Sequence, residues 1–385
     1  MPSPHEAAAL PRIDFNRSGV VGREHDYLGE AVASRHLSGD GEFTRRCQAL
    51  LEGELGSGKV LLTTSCTHAL EMAALLLDIK SGDEVIVPAF TFTSTANAFV
   101  LRGARPVFAD VRRDTLNIDE RQLPSLVTER TRAIIPVHYA GVGCAMDAIA
   151  DAAKPRAISI VEDNAHGLFG SYRGKPLGTF GRLATQSFHE TKNFSCGEGG
   201  ALVLNDASLV EQAEIIREKG TNRSRFFRGQ VDKYTWTSLG SSFVPSDLLA
   251  AFLLAQLEER KIVQARRRAI WERYDERLRS LARRVELGLP TVPAECAQSY
   301  HLYYLLMPSL ERRQALIAHL KAENIIASFH YQPLHLSDMG RRFGGKAGDC
   351  PVAEEAGDRL LRLPFFFELT ESEQDRVVEA VQRFF

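Results

Sequence analysis

The chain has 385 residues, 44% of them hydrophobic and 25% charged, which is ordinary globular material for a sizeable core and roughly two domains. A formal net charge of -2 excludes a global field that would draw the whole protein to nucleic acid or an acidic membrane, so any anion site must be local. The six cysteines (Cys47, Cys66, Cys144, Cys196, Cys296, Cys350) are dispersed without a C-x-x-C pair, which argues against a zinc centre and a secreted disulfide framework.

The opening "MPSPHEAAALPRIDFNRSGVVG" lacks a basic region followed by an apolar run, so no signal peptide is expected and the chain reads as cytoplasmic. A helix, "FTRRCQALLEGEL", then leads through "GELGSGKV" (53–60) into a strand, "KVLLTTS". That stretch has the glycine and lysine spacing of a phosphate-binding P-loop. Two features reject the match. Val60 stands where a magnesium-holding Ser or Thr is needed, and helix–loop–strand reverses the required strand–loop–helix order. The plain reading, a turn, is preferred.

From Thr64 to Asp206 helical runs ("HALEMAALLLDI", "STANAFVLRG", "AMDAIADAAK") alternate with short apolar strands ("EVIVP", "RPVFAD", "RAIIPVH", "AISIVED", "ATQSF", "GALVLND"). The most apolar helix is too short to span a bilayer and carries Glu71. Such alternation predicts a mainly parallel sheet flanked by helices, with ligands at the carboxyl ends of the strands. Asp163 and Ser187 fall at such ends. Beyond Asp206 come a helix, a basic loop (220–242), one long helix (246–284) and a smaller α+β unit with strands "YHLYYLLM" and "IIASFHY". The division predicted is a large domain over 1–245, with the linking helix and small domain over 246–385. No repeats or low-complexity tracts interrupt it.

"SFHETKNFSCGEGG" (187–200) sets Lys192 between Ser187 and a glycine-rich turn. Alone, this is a surface lysine. A lysine that forms a Schiff base with a carbonyl cofactor needs three supports: a carboxylate for a pyridinium nitrogen, a phosphate cradle at a helix start, and a flat side chain over the ring. Asp163 in "VEDNAHG", Cys66 and Thr67 in "SCTHALEMA" with Ser187, and Phe90 or Phe92 in "PAFTFTSTAN" are candidates for these. Each also has a plain reading, as strand end, helix cap or core. Their ordered co-occurrence reverses those readings.

The order "SCTHALEMA", "VPAFTFTSTANA", "GARPVFADV", "VEDNAHG", "SFHETKN…GEGGALVLND" and "HYQPLH" resembles the DegT/DnrJ/EryC1/StrS sugar aminotransferases, from about Ile13 to the C-terminus. These are fold-type I enzymes dependent on pyridoxal 5′-phosphate (PLP). The resemblance implies that Lys192 is the Schiff-base lysine and Asp163 the partner of the pyridine nitrogen. It further implies that Ser187, Thr67 and the Cys66 amide hold the phosphate, that Phe92 stacks on the ring, and that His166 lies near the cofactor hydroxyl. The stretch "EIIREKGTNRSRFFRGQVDKYTW" resembles one branch more narrowly, the TDP-4-keto-6-deoxy-D-glucose 4-aminotransferases of enterobacterial common antigen synthesis, which yield TDP-4-amino-4,6-dideoxygalactose.

The activity so implied moves nitrogen from L-glutamate to a nucleotide-linked 4-keto-6-deoxy sugar, with Lys192 as general acid/base and Asp163 supporting the ring nitrogen. Arg223, Arg225, Arg228 and Lys233 are candidates to clamp the pyrophosphate, against the plain reading of a solvated charge run. His330 and Tyr331 are placed by the resemblance beside the substrate; His330 and His335 have no third ligand at metal-binding spacing. Relatives carry an Asn before the long helix that reaches a neighbouring subunit's phosphate. Val244 stands there, with Ser241 or Ser242 as substitutes. The resemblance therefore implies a homodimer with shared sites, and no nucleic-acid or membrane partner. Two rivals share the fold. A PLP-dependent sugar dehydratase carries histidine at the lysine position, and a non-catalytic regulator needs neither Lys192 nor Asp163.

Overall fold

The computed structural model describes residues 10–56 and 58–385. The start of the opening tested for a signal peptide therefore lies outside the described residues. Among the described residues the main sheet has seven strands: β1 (Lys59–Thr63), β2 (Glu84–Pro88), β3 (Arg105–Ala109), β4 (Thr131–Ile134), β5 (Ser159–Asp163), β6 (Leu183–Ser187) and β7 (Gly200–Leu204). Their spatial order is β1-β7-β6-β5-β4-β2-β3. Strands β3, β2, β4, β5 and β6 are mutually parallel, and β7 runs antiparallel to both β6 and β1. The sheet is mainly parallel, as the alternation of strands and helices predicts.

Strands β2 and β7 are buried along their whole length, the expected state of strands covered on both faces. Alternate residues of β1 and β7 serve opposite cores. Val60, Leu62, Ala201 and Val203 pack with Phe43, Leu51, Ala250 and Leu254, whereas Leu61, Leu202 and Leu204 pack with Ala69, Leu70 and Ala73. The second group belongs to the helix Cys66–Leu76, which starts directly after β1. The P-loop look-alike is the turn between the helix Glu42–Leu55 and β1. Gly56 caps the helix at φ 64, its amide donating to the Glu52 carbonyl at 3.0 Å, and the Lys59 ammonium pairs with Glu52 at 2.8 Å.

The single long helix predicted over 246–284 is two helices, Asp247–Glu258 and Arg260–Arg284, separated at Glu259. The first packs in the sheet core with Tyr27, Phe43 and Leu51; the second places Ile270, Tyr274 and Leu278 in a separate core with Leu316, Leu361 and Val377. The second helix itself links the two cores, because its Val263 still packs in the sheet core. The predicted boundary at 245/246 falls just ahead of this pair. Ile13, far away in sequence, sits in the second core and bridges to Ile325.

The C-terminal unit holds a two-stranded sheet, Tyr304–Leu306 against Leu360–Arg362, with helices Leu310–Ala322, Pro351–Arg359 and Glu371–Phe384. Both predicted strands here are shorter than expected. Tyr300 adopts φ 56, which breaks the extended run and turns His301 and Leu302 toward the sheet's carboxyl edge. Among the described residues "IIASFHY" makes isolated bridges, Ile325 to Ile13 and Ser328 to Arg362, in place of a continuous strand. No helix among the described residues is long and apolar enough to cross a membrane.

Candidate active site

A cavity of about 470 Å³ opens at the carboxyl ends of β5 and β6, between the sheet and the C-terminal unit. Cys66, Thr67, Phe92, Asp163, His166, Ser187, Lys192, His330 and Tyr331 all line it. Residues predicted from five separate stretches thus meet in one place.

Lys192 is carried by the loop after β6, which folds back on itself: its amide donates to the His189 carbonyl at 2.9 Å, and Phe188 and Gly199 pair at 2.8 Å. Burial is the main force on its amine and pushes its pKa down to about 8, helped by the charge of Arg362 and opposed by Cys66 and Asp163. An amine in that range is available as a free base near neutral pH.

Asp163 closes β5 and is only 5% exposed. One carboxylate oxygen accepts from the Thr95 hydroxyl at 2.8 Å and the other from the Ala165 amide at 3.2 Å. Thr95 is itself oriented by the Thr91 hydroxyl at 2.9 Å. Burial nevertheless raises the carboxyl above its ordinary range, against the pull of Thr95, Ala165 and Lys192. A cation placed on this carboxylate would relieve that cost.

The opposite end of the cavity is a helix start. Ser65 caps the helix Cys66–Leu76 by accepting from the His68 amide at 3.1 Å, which leaves the first-turn amides of Cys66 and Thr67 without an intrahelical acceptor. The Thr67 hydroxyl bonds to Ser94 at 2.8 Å, and Ser187 adds a hydroxyl from the end of β6. The approach is tight. A Cβ at Gly200 would lie 2.4 Å from the Cys66 nitrogen, so only glycine lets β7 pass the cap. The Cys66 thiol donates to Thr185 at 3.4 Å and is pushed up by burial, so it is a neutral wall group.

Aromatic rings close the remaining side. Phe92 is 57% exposed and tilts against Tyr331 at 6.3 Å, and Tyr331 stacks on His330 at 3.6 Å. His166 stacks on His301 at 4.1 Å, and its buried Nδ1 has no hydrogen-bond partner among the described residues. Burial pushes both of these imidazoles well below their ordinary pKa, with the Lys192 charge adding to the effect. They are neutral.

PLP fits this arrangement on observations internal to the chain. A buried carboxylate short of a cation suits a pyridinium nitrogen, free helix-start amides suit a phosphate, an orphaned imidazole nitrogen awaits a polar partner, and the lysine has its amine pKa near 8.

Other predicted residues lie elsewhere. Arg223, Arg225 and Arg228 belong to a short surface helix and its cap, and none lines the cavity of its own chain. Arg223 lies 3.7 Å from Glu218 and Arg228 2.8 Å from Glu214, and Arg225 pairs with Glu211. Ser241, Ser242 and Val244 also stand outside that lining; Ser241 exchanges backbone bonds with Ile216 and Lys219 at 3.0 Å. His335 faces Glu354 at 2.9 Å and His330 faces the Tyr139 hydroxyl at 2.7 Å, so the two rings point to different partners.

Sequence reasoning missed Thr95, Asn193, His301 and Arg362. Asn193, beside Lys192, takes His301 as partner at 2.9 Å and donates to the Ser299 carbonyl at 2.7 Å, which ties the lysine loop to the C-terminal unit. Thr95 carried a signal, a hydroxyl at the start of a helix following the ring-stacking candidates. The others come from segments remote in sequence.

The model of the DegT/DnrJ/EryC1/StrS aminotransferase family matches residues 21–382. Over 372 residues the chain is 34% identical to the spore coat polysaccharide biosynthesis protein SpsC of Bacillus subtilis, covering 94% of this chain and 95% of that one. It is 31% identical to the GDP-perosamine synthase of Caulobacter vibrioides, with 97% and 98% covered. The structure of a putative sugar aminotransferase, Spr1654 from Streptococcus pneumoniae in its PMP-form, superposes with a TM-score of 0.90 at 26% identity, covering 97% and 98%. The chain belongs to the DegT/DnrJ/EryC1/StrS aminotransferase family. It has the fold-type I architecture and is an enzyme that uses PLP.

Proposed function

We propose that this aminotransferase moves the amino group of L-glutamate to the C4 ketone of dTDP-4-dehydro-6-deoxy-D-glucose, giving 2-oxoglutarate and dTDP-4-amino-4,6-dideoxy-D-galactose. The observation that carries the transfer chemistry is the meeting of Lys192 and Asp163 in one cavity with a helix start whose first amides, at Cys66 and Thr67, have no intrahelical acceptor. The sugar and nucleotide are supported by the likeness of residues 214–236 to the branch named above.

Bound PLP supplies an electron sink that makes the donor's Cα–H acidic. The protein's groups do the rest. The Lys192 amine takes the Cα proton of glutamate and later returns a proton to C4 of the sugar. Its pKa of about 8 keeps both protonation states accessible at working pH. Asp163, aimed by Thr95 and Ala165, holds the proton on the ring nitrogen. Thr67, Ser187 and the Cys66 amide would bind the phosphate, Phe92 would cover the ring and His166 would meet the cofactor hydroxyl. His330 and Tyr331 line the approach for substrate.

The working unit is a homodimer in which the 220–244 segment of one protomer completes the partner's site. Its support is the placement of this segment away from its own cavity, with Phe227 69% and Trp236 77% exposed beside the arginines. Arg223, Arg225 and Arg228 then meet the pyrophosphate of the sugar held by the partner.

The test is a panel of dTDP-, UDP- and GDP-linked keto sugars with glutamate, the products identified by mass spectrometry and NMR. The expected result is preferred turnover of the dTDP-linked 4-keto-6-deoxyglucose, with the new amine in the galacto configuration. Preference for another nucleotide, or amination away from C4, would reject the substrate assignment.

A further inference from the structure

Asn193 follows Lys192 directly, and its side chain leaves the lysine loop to grip a corner of the chain at Ser299–His301. Its Nδ2 donates to the Ser299 carbonyl at 2.7 Å, and its Oδ1 lies 2.9 Å from His301 Nδ1. The chemistry of the two ends fixes both groups. A carbonyl only accepts, so the NH2 of the amide must face Ser299 and its oxygen must face His301. The His301 proton therefore sits on Nδ1, and the ring is neutral because burial pushes its pKa well below the ordinary value.

The corner is itself held firmly. Tyr300 adopts φ 56, in the left-handed region. The buried Arg267 guanidinium donates to the Tyr300 carbonyl at 2.9 Å and the His301 carbonyl at 2.6 Å, so three consecutive carbonyls accept from side chains. The Ser299 amide donates to the Gly141 carbonyl at 3.0 Å, and its hydroxyl donates to the His166 carbonyl. The His301 ring lies against the His166 ring at 4.1 Å. On the near side of the lysine, its own amide is bonded to the His189 carbonyl at 2.9 Å. The Lys192 backbone is thus held before and after its Cα, which leaves the side chain to do the moving.

We infer that Asn193, paired with His301, is a positioning residue for the reaction: it fixes the turn that carries Lys192 to the corner at 299–301 and so sets where the lysine amine reaches. This rests on the roles proposed above for Lys192. Asn193 stands outside the cavity lining, so it acts through the backbone it holds. An amine that must serve Cα of the donor and then C4 of the sugar tolerates little error, since about 1 Å of misplacement costs on the order of 100-fold in rate. A tie that only stabilised the loop would change melting and cofactor retention and leave the maximal rate alone.

The test compares PLP-loaded wild type, Asn193→Ala, His301→Leu and His301→Asn in the half-reaction with glutamate, followed by the cofactor's absorbance, so that the rate does not depend on which sugar is accepted. Asparagine at 301 keeps an N–H where histidine has Nδ1, and has nothing in place of Nε2. Asn193→Ala and His301→Leu are expected to lower the maximal rate by ~10- to 100-fold, with half-saturating glutamate and PLP affinity within about threefold of wild type. The double variant should be no slower than the slower single one, because both changes break the same contact. His301→Asn should restore the rate to within about threefold of wild type. A near-wild-type maximal rate in Asn193→Ala, additive losses in the double variant, or His301→Asn as slow as His301→Leu would each overturn the inference. The imidazoles supply a readout that needs no kinetics. In isotope-labelled wild type, the His301 ring, assigned by its loss in His301→Asn, should be protonated at Nδ1 and bare at Nε2; the opposite tautomer overturns the arrangement. Borohydride reduction and peptide mass spectrometry then separate the two readings. PLP fixed to a lysine other than Lys192 removes the lysine roles and this inference with them, whereas PLP fixed to Lys192 with an unchanged rate in Asn193→Ala removes this inference alone.

Discussion

The surface segment 218–239 and the cavity around Lys192 are both rich in basic and aromatic groups, and they treat charge in opposite ways. On the surface, Arg223, Arg225 and Arg228 each face a glutamate from the neighbouring helix or its end. In the cavity, the Lys192 amine, the Asp163 carboxyl and the Arg362 guanidinium are all moved from their ordinary pKa by burial without full pairing, and His166 keeps an orphaned nitrogen. Exposed pairs contribute little and cost little, so a surface can collect them freely. Buried groups short of partners are expensive, and their clustering in one cavity marks a site kept for binding and chemistry.

The largest effect tests the cavity side of that contrast. Lys192→Ala should still bind PLP, seen by absorbance and mass, but give no turnover in an amino-sugar assay; near-normal activity would sink the mechanism. Asp163→Asn comes next. It removes the negative charge while keeping the shape, and turnover should fall by orders of magnitude, with weaker PLP retention on dialysis and an unchanged circular dichroism spectrum. Wild-type turnover there would make Asp163 an ordinary strand end.

A pH experiment sharpens the same side. With the amine at about 8 rather than 10.5, its free-base fraction near neutral pH is roughly 300-fold larger, so PLP capture by cofactor-free protein should rise with pH to a midpoint near 8. The sign for stability follows from the lowered folded-state value. Between about 8 and 10.5 the unfolded chain binds more protons, so cofactor-free protein should gain stability as pH rises through that window. A capture midpoint near 10 would show the lysine to be solvated.

The surface side is tested by mixing. If the arginines serve the partner's cavity, inactive Lys192→Ala and Arg225→Ala/Arg228→Ala proteins should rescue each other. Random pairing makes half the dimers mixed, each with one intact site, so recovery should approach about a quarter of wild-type activity. No recovery despite verified subunit exchange would return the segment to its own chain. The smallest effect is Arg228→Ala alone on thermal stability. Loss of its exposed 2.8 Å pair with Glu214 should cost under about 1 kcal/mol, and a much larger loss would mean that the segment carries structure.

The sequence by itself determined the alternating sheet, the strand-end positions of Asp163 and Ser187, the helix start at Cys66 and Thr67, and the lysine among them, because each of these is written within a few consecutive residues as period, cap or turn. Tertiary structure alone decided the rest. The break at Glu259 lies within a run that is helical by local propensity on both sides, and only the folded chain shows it. Asn193 meets His301, and Arg362 meets Phe15 and Phe329, across long stretches of chain, so their roles exist only after the C-terminal unit folds onto the sheet's edge. Sequence shows the charge of the surface-helix arginines but not their partners within the chain. Packing pairs them with glutamates and places Arg362 in the cavity without an ion-pair carboxylate among the described residues, at a strand end whose sequence, "LLRLP", carries no motif.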